Sequence, residues 1–321
     1  MLGQITAVAR NTYTAAIRQP IALVLLLLTL GILALNPAVS AYTLEDDDKL
    51  LRDIGLSTVF VAGLFLSAFT AAAALSEEIR RKTVLSVVSK PVHRWTFLVG
   101  KYVGALGSVW IAQWIWSLAL LFTLRHGVLM TVRDPYHEPV IYFGLGALAL
   151  AFLLAFAANY FRGAVFASTL THLLAIILPM AIVPAFLFDS GWTRVPFLEQ
   201  FDLPLLVALL LVGQALAMLC AIAITAATRV GQMATLSICS LAFVAGLTSE
   251  YFLGTLVERS IAARMAYAVL PNLQHLWLGD ALLGNLPITL GYFIQTSCYS
   301  GLYVVACMAI STLLFQSRDV G

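Results

Sequence analysis

Charge is what this chain has least of. Only 11% of its 321 residues are Asp, Glu, Lys or Arg, against roughly a quarter in an ordinary soluble domain. Cysteine is also sparse. Cys220, Cys239, Cys298 and Cys307 all fall in apolar runs without C-x-x-C spacing, which excludes a disulfide framework and a thiolate metal site and leaves small core residues. The histidines His93, His126, His137, His172 and His275 are scattered with no H-E-x-x-H spacing, so a metalloenzyme is not expected. No G-x-S-x-G elbow is present. Nor is there a G-x-x-x-x-G-K-[ST] phosphate loop: Gly100-Lys101 lacks the upstream glycine and runs into Tyr102. The chain therefore binds no nucleotide by that route, and no cofactor or metal of its own is expected. No nucleic-acid partner is expected either; the net charge of +2 says little as a total.

What is abundant is apolar sequence, at 61% of the residues. Several runs exceed the roughly 20 residues that cross about 30 Å of hydrocarbon as a helix. Short alternating segments of the kind that build membrane barrels are missing. The runs predict an all-α polytopic membrane protein, a single transmembrane domain over 1–321. Spans are expected at about 21–42, 54–75, 102–124, 139–158, 164–188, 203–226, 231–253 and 288–315. The hairpin 139–188 turns on only Asn159 to Gly163, so the alternative is six full spans plus a re-entrant pair. Ile21–Leu35 followed by Ala38–Ala41 has the outline of a cleavable leader. The twenty residues ahead of it are too long and amphipathic for one, and a retained first span is expected.

Residues 1–20 set Leu2, Ile5, Ala9, Tyr13, Ala16 and Ile17 on one helical face, with Pro20 ending the pattern. This predicts a helix lying in the membrane interface. The stretch 254–287, with Pro271, Gly279, Gly284 and Pro287, predicts an irregular segment outside the cytoplasm. Polar residues within the spans, such as His172 and Gln214, are expected to bond neighbouring helices. The tryptophans of the third span, Trp110, Trp114 and Trp116, are expected to pack or anchor.

The cations are unevenly placed. Six of the eighteen Lys and Arg residues lie between Arg80 and Lys101. Counted over eight spans, one side holds eleven basic and three acidic residues, the other seven basic and thirteen acidic. The excess of cations puts the 76–101 segment and both termini in the cytoplasm. Within that segment a helix is expected over about 77–89, with Ser76 as its cap and Glu77 and Glu78 in its first turn. Pro91 ends it, and Val92 to Lys101 would turn the chain back to the membrane. On charge alone, the segment is equally well a loop that fixes topology. The chain would then be a self-sufficient carrier or channel, or a membrane scaffold.

The wording of this segment, E-E-x-x-x-x-T-x-x-x-x-x-S-K-P-V-x-R-x-x-F-L-x-G-K, resembles the coupling segment of the type-2 ABC exporter permeases. Glu77, Glu78, Thr83, Pro91, Val92, Arg94, Phe97, Gly100 and Lys101 fall where that family's pattern has them; Lys82 stands where the family usually has glycine. Tyr267–Gly284 is similar to the family's outer segment before the last span, Thr228–Thr235 to its entry into the preceding span, and Leu314–Asp319 to its F-x-x-R-D ending. The resemblance implies a permease subunit of an exporter in the inner membrane of a prokaryote. Such a subunit pairs with a second permease copy, forming a homodimer in the bilayer. It works with two copies of a separate ATPase subunit, which bind the ATP and Mg. It further implies that the 76–101 hairpin contacts the ATPase, with Glu77, Glu78, Arg80, Arg81 and Thr83 positioning it and Pro91, Val92 and Arg94 at its tip.

Overall fold

A computed structural model describes residues 2–41, 47–80, 93–129, 136–254, 256, 260–279, 282 and 288–316, without the side chains of 76–80, 262 and 268. Ten α-helices are described: α1 Leu2–Ile17, α2 Pro20–Ser40, α3 Asp47–Arg80, α4 Arg94–His126, α5 Glu138–Arg162, α6 Phe166–Leu187, α7 Leu203–Ala227, α8 Gln232–Leu253, α9 Ile261–Val269 and α10 Leu290–Gln316. All but α1 and α9 are long and apolar enough to cross a membrane, which gives eight candidate spans. The protein is an all-α, multi-pass membrane protein.

Each expected span is present, but α3 and α4 overrun their expected limits. At 1.5 Å per residue, the 34 residues of α3 and the 33 of α4 make helices of about 50 Å, well beyond the hydrocarbon thickness. The segment expected to turn the chain back is thus partly helix: Arg94 to Lys101 form the first two turns of α4. Lys101, taken as a loop residue from its charge, is buried at 4% exposure with its ammonium 5.4 Å from the centre of the Phe97 ring. The 254–287 segment is likewise less irregular than expected, since it contains α9 and a 3-10 turn at Gln274–Leu276.

The chain divides into two compact units. One comprises 17–62 and 110–209, the other 1–16, 63–109 and 210–321.

In the first of these, α5 and α6 form an antiparallel hairpin. The turn is closed by Gly163, whose left-handed conformation (φ 63°) lets its amide reach the Asn159 carbonyl at 3.0 Å while Ala164 reaches Ala158 at 3.3 Å. This double closure ends a helix on glycine, and the Asn159 side chain adds a bond to the Ala164 carbonyl. Ala147, Ala151 and Ala155, spaced by four, form the buried face of α5, and Leu170, Leu174 and Leu178 that of α6. With both helices long enough to span, the eight-span reading holds over the re-entrant one. Trp116 is fully buried and donates from its indole to the Leu26 carbonyl at 3.3 Å, while Trp110 and Trp114 are about half exposed. His172 contacts the Ser168 carbonyl one turn back in its own helix.

Charges gather at one end of this unit. Arg52 pairs with Asp202 at 2.9 Å, and Arg125 bonds Gln200 and lies 3.9 Å from Asp189. His137 is buried nearby, 3.7 Å from Asp189. Burial, reinforced by the Arg125 charge, holds its imidazole below the ordinary histidine range, and Asp189 only partly opposes this. The unfolded chain thus takes up a proton near the ordinary value of about 6.5 while the folded chain resists it. The stability contributed by neutral His137 is full above that pH and declines as pH falls. Thermal midpoints measured at pH 7.5 and 5.5 are expected to drop on acidification, and His137→Gln to reduce the drop.

The second unit is tied by polar bonds between apolar helices. Gln214 of α7 donates to Ser297 at 2.8 Å and accepts from Ser300 at 3.1 Å, both on α10. Thr225 donates to the Cys307 carbonyl, and Tyr102 of α4 to the Ala217 carbonyl. Interhelical bonds of this kind contribute about 0.6 kcal/mol each in membrane proteins. Gln214→Leu is accordingly expected to cost on the order of 1 kcal/mol, seen as a drop of a few degrees in the thermal midpoint. Cys220, Cys239 and Cys307 are buried as expected, while Cys298 is exposed.

Candidate functional site

The second unit brings together three pieces of sequence that lie far apart in the chain: α1, the first turns of α4 and the end of α10. Each contact has a local cause.

Where α1 crosses α4, glycines replace side chains. A Cβ on Gly104 would lie 2.4 Å from the Ala9 carbonyl oxygen and 2.6 Å from the Thr12 Cβ; one on Gly100 would lie 2.7 Å from the Val8 Cβ. The Gly100-x-x-x-Gly104 spacing lets the two backbones approach within what any larger residue forbids. Thr12 is 2% exposed at this crossing. Sequence periodicity placed Ile5, Ala9 and Tyr13 on the packed face of α1 but missed Val8 and Thr12. The pair of glycines on α4 was the signal for them, because a helix resting there must offer residues four apart.

One turn earlier, α4 meets the end of α10. The last carbonyls of a helix lack intrahelical donors and carry the negative end of its dipole. Arg94 supplies the donor: its Nη1 is 2.8 Å from the Gln316 oxygen and 3.3 Å from that of Phe315. Phe97, one turn on, stacks against Phe315 with ring centres 6.0 Å apart and planes inclined by 21°. Lys101, a turn further, sets its ammonium over the Phe97 ring. Arg94, Phe97 and Lys101 thus share one face of α4. The F-x-x-R-D-like ending and the R-x-x-F-L-x-G-K wording, 221 residues apart at their nearest bonded pair, are in contact.

Among the described residues, the structure does not bring the remaining expected site residues to this junction. Glu77, Glu78 and Arg80 form the final turn of α3, so the expected helix over 77–89 is a continuation of the second span as far as Arg80. Arg81, Thr83, Pro91 and Val92 lie outside the described residues. Arg94 is exposed, yet it is engaged by the chain's own last helix, a role that its assignment to a partner contact did not anticipate.

Ahead of α10, the 267–279 part of the Tyr267–Gly284 stretch packs on α8. Asn272, 4% exposed, is its hub: its amide nitrogen Nδ2 donates to the Tyr267 hydroxyl at 3.0 Å and to Glu250 at 3.3 Å, and its backbone N–H donates to the Tyr299 hydroxyl at 2.8 Å. Tyr267 donates to Glu250 at 2.6 Å, and this bond raises its phenol above the ordinary range. Gly246 permits the approach, since a Cβ there would lie 2.5 Å from the Pro271 oxygen. Among the described residues, no three His, Cys, Asp or Glu side chains come together as a metal site. Comparison with protein-family models, with curated proteins and with solved structures returned no match.

Proposed function

We propose that this chain is the membrane-spanning permease subunit of an ATP-driven ABC exporter, in which closure of separate ATPase subunits is coupled to movement of substrate across the bilayer. The cationic segment between α3 and α4 is the docking hairpin and faces the cytoplasm with both termini. A second copy of the chain completes the membrane part, and ATP and Mg are held by the two ATPase subunits.

The observation that carries this reading is the junction of Arg94 and Phe97 with Phe315 and Gln316. Two separate stretches of exporter-like wording make contact through the residues that carry the likeness. Such a junction suits a coupling device. The residues before Arg94 take the push of a partner, and the push passes into α3 and α4, which flank the segment. It also reaches α1 and α10, which are clamped to the first turns of α4. A loop that merely fixed topology would need its cations alone, not an arginine and a phenylalanine set against the last helix.

Affinity purification of the tagged protein from its native membranes tests the reading. An ATPase chain bearing a phosphate loop is expected to come with it. Pro91→Ala combined with Arg94→Glu is expected to lower its recovery about tenfold, the effect of losing about 1.4 kcal/mol of binding. Undiminished recovery with the double variant contradicts the docking role.

A further inference from the structure

The unit formed by 17–62 and 110–209 carries an open groove of about 690 Å³ lined by α2 and its cap Ala41, α4 and Leu129 just after it, α5, and Leu178 of α6, with Ala34, Ala38 and Leu145 exposed along it. Its size falls within the range of about 300–1,000 Å³ in which proteins hold small ligands. The walls are small or apolar side chains. Ala34, Pro37 and Ala38 line one side, Gly144 and Leu148 the other, and Phe122 the floor. Gly144 keeps the space open above that floor, since a Cβ there would already touch the Phe122 ring at 3.3 Å.

Two features select the occupant. The first is length. The lining runs along α2 from Leu30 to Ala41, about 16 Å at 1.5 Å per residue, or half the roughly 30 Å hydrocarbon thickness. That is the depth of one leaflet. Leu145, which lines the groove, is 60% exposed on the outer surface of the unit, so the space opens sideways where a membrane protein meets lipid. The second feature is polarity at one end only. Thr123 and His126 lie at the end of α4, and the His126 Nδ1 is 3.0 Å from the Gly127 carbonyl. A carbonyl only accepts, so Nδ1 donates in that contact, and Nε2 is the ring's other polar atom. An apolar slot about half the hydrocarbon thickness long, with the Thr123 hydroxyl and the His126 imidazole at one end, fits an alkyl chain that carries a polar group at its end.

We infer that this groove binds one alkyl chain of a membrane amphiphile, with the polar end of that molecule at His126. The site is lined by α2, α4, α5 and α6 with Ala41 and Leu129 beside them, and does not depend on an ATPase partner.

Photolabelling of the purified protein in nanodiscs tests the inference. One arm uses a palmitic acid analogue with a diazirine at the chain end, the other a phosphatidylcholine carrying the same chain, and adducts are mapped by peptide mass spectrometry. Adducts are expected on 30–41 and 140–148 at about tenfold their level on α8, whose exposed Leu241 and Val244 report ordinary lipid contact. Ala38→Trp and, separately, Ala34→Phe fill the groove and are expected to remove this excess while leaving α8 labelling and gel-filtration behaviour unchanged. Labelling by the fatty acid alone identifies a free single-chain amphiphile. Labelling by the phospholipid alone identifies a bilayer lipid, and labelling by both shows that the chain itself is what is recognised. Equal labelling of α8 and the groove, or an excess that survives both variants, overturns the inference.

Discussion

Replacing Gly104 by leucine is expected to drive α1 off the start of α4. The new Cβ alone would overlap the Ala9 carbonyl oxygen at 2.4 Å and the Thr12 Cβ at 2.6 Å. Both are helix atoms that cannot swing aside as the end of a flexible side chain could. Overpacking of a tight contact costs about 1–3 kcal/mol where neighbours can adjust, and here one neighbour is backbone. The clean readout is a cysteine at Thr12, a position 2% exposed, in a background lacking the four natural cysteines. Its reaction with a maleimide should be slow in the parent and at least about tenfold faster with Gly104→Leu, since a helix released by about 1.4 kcal/mol opens tenfold more often. Gly100→Leu should act in the same direction through Val8. Equal reactivity in parent and variant would mean that α1 does not rest on this glycine pair.

The second large effect is expected at Arg94, where two roles can be separated. Arg94→Glu removes both bonds to the end of α10 and sets a negative charge beside carbonyls that already carry the negative end of the helix dipole. Exposure weakens the charge contribution through screening, so the cost to stability is on the order of 1 kcal/mol. ATPase capture should fall with it. Arg94→Gln keeps an N–H donor for the Gln316 carbonyl but no charge. A thermal midpoint within a degree or two of the parent, together with weakened ATPase capture, would show that the guanidinium charge serves the partner. Normal capture with Gln and loss with Glu would instead make Arg94 a positioning residue that acts through α10.

Hydropathy made the eight spans legible, because hydrocarbon thickness sets a minimum length that few other structures need. It did not show where the helices end. Charge marks the edge of the hydrocarbon, and a helix can continue past that edge. Asp47 to Asp53 and Glu77 to Arg80 are helical despite their charges, as are Arg94 to Lys101. Lys101 shows the reason most plainly. It is buried beside Phe97, whose ring stacks on Phe315 of α10, more than 200 positions away, a contact that no local pattern announces. The same holds at the candidate site. Arg94, Phe97 and Phe315 could each be singled out by wording, but their contact could not. The α5–α6 turn was readable in outline from Asn159 and Gly163. The structure added the left-handed glycine and the facing Ala and Leu stripes, while the length of the two helices is what favours a spanning pair over a re-entrant one.

The central claim is that the cationic stretch between α3 and α4 lies on the cytoplasmic side, where an ATP-hydrolysing partner can reach it. A single cysteine at Ser89, with the four natural cysteines replaced, tests this through a membrane-impermeant maleimide applied to intact cells and again after permeabilisation. The account predicts labelling only after permeabilisation. Full labelling in intact cells would place the stretch outside and contradict it.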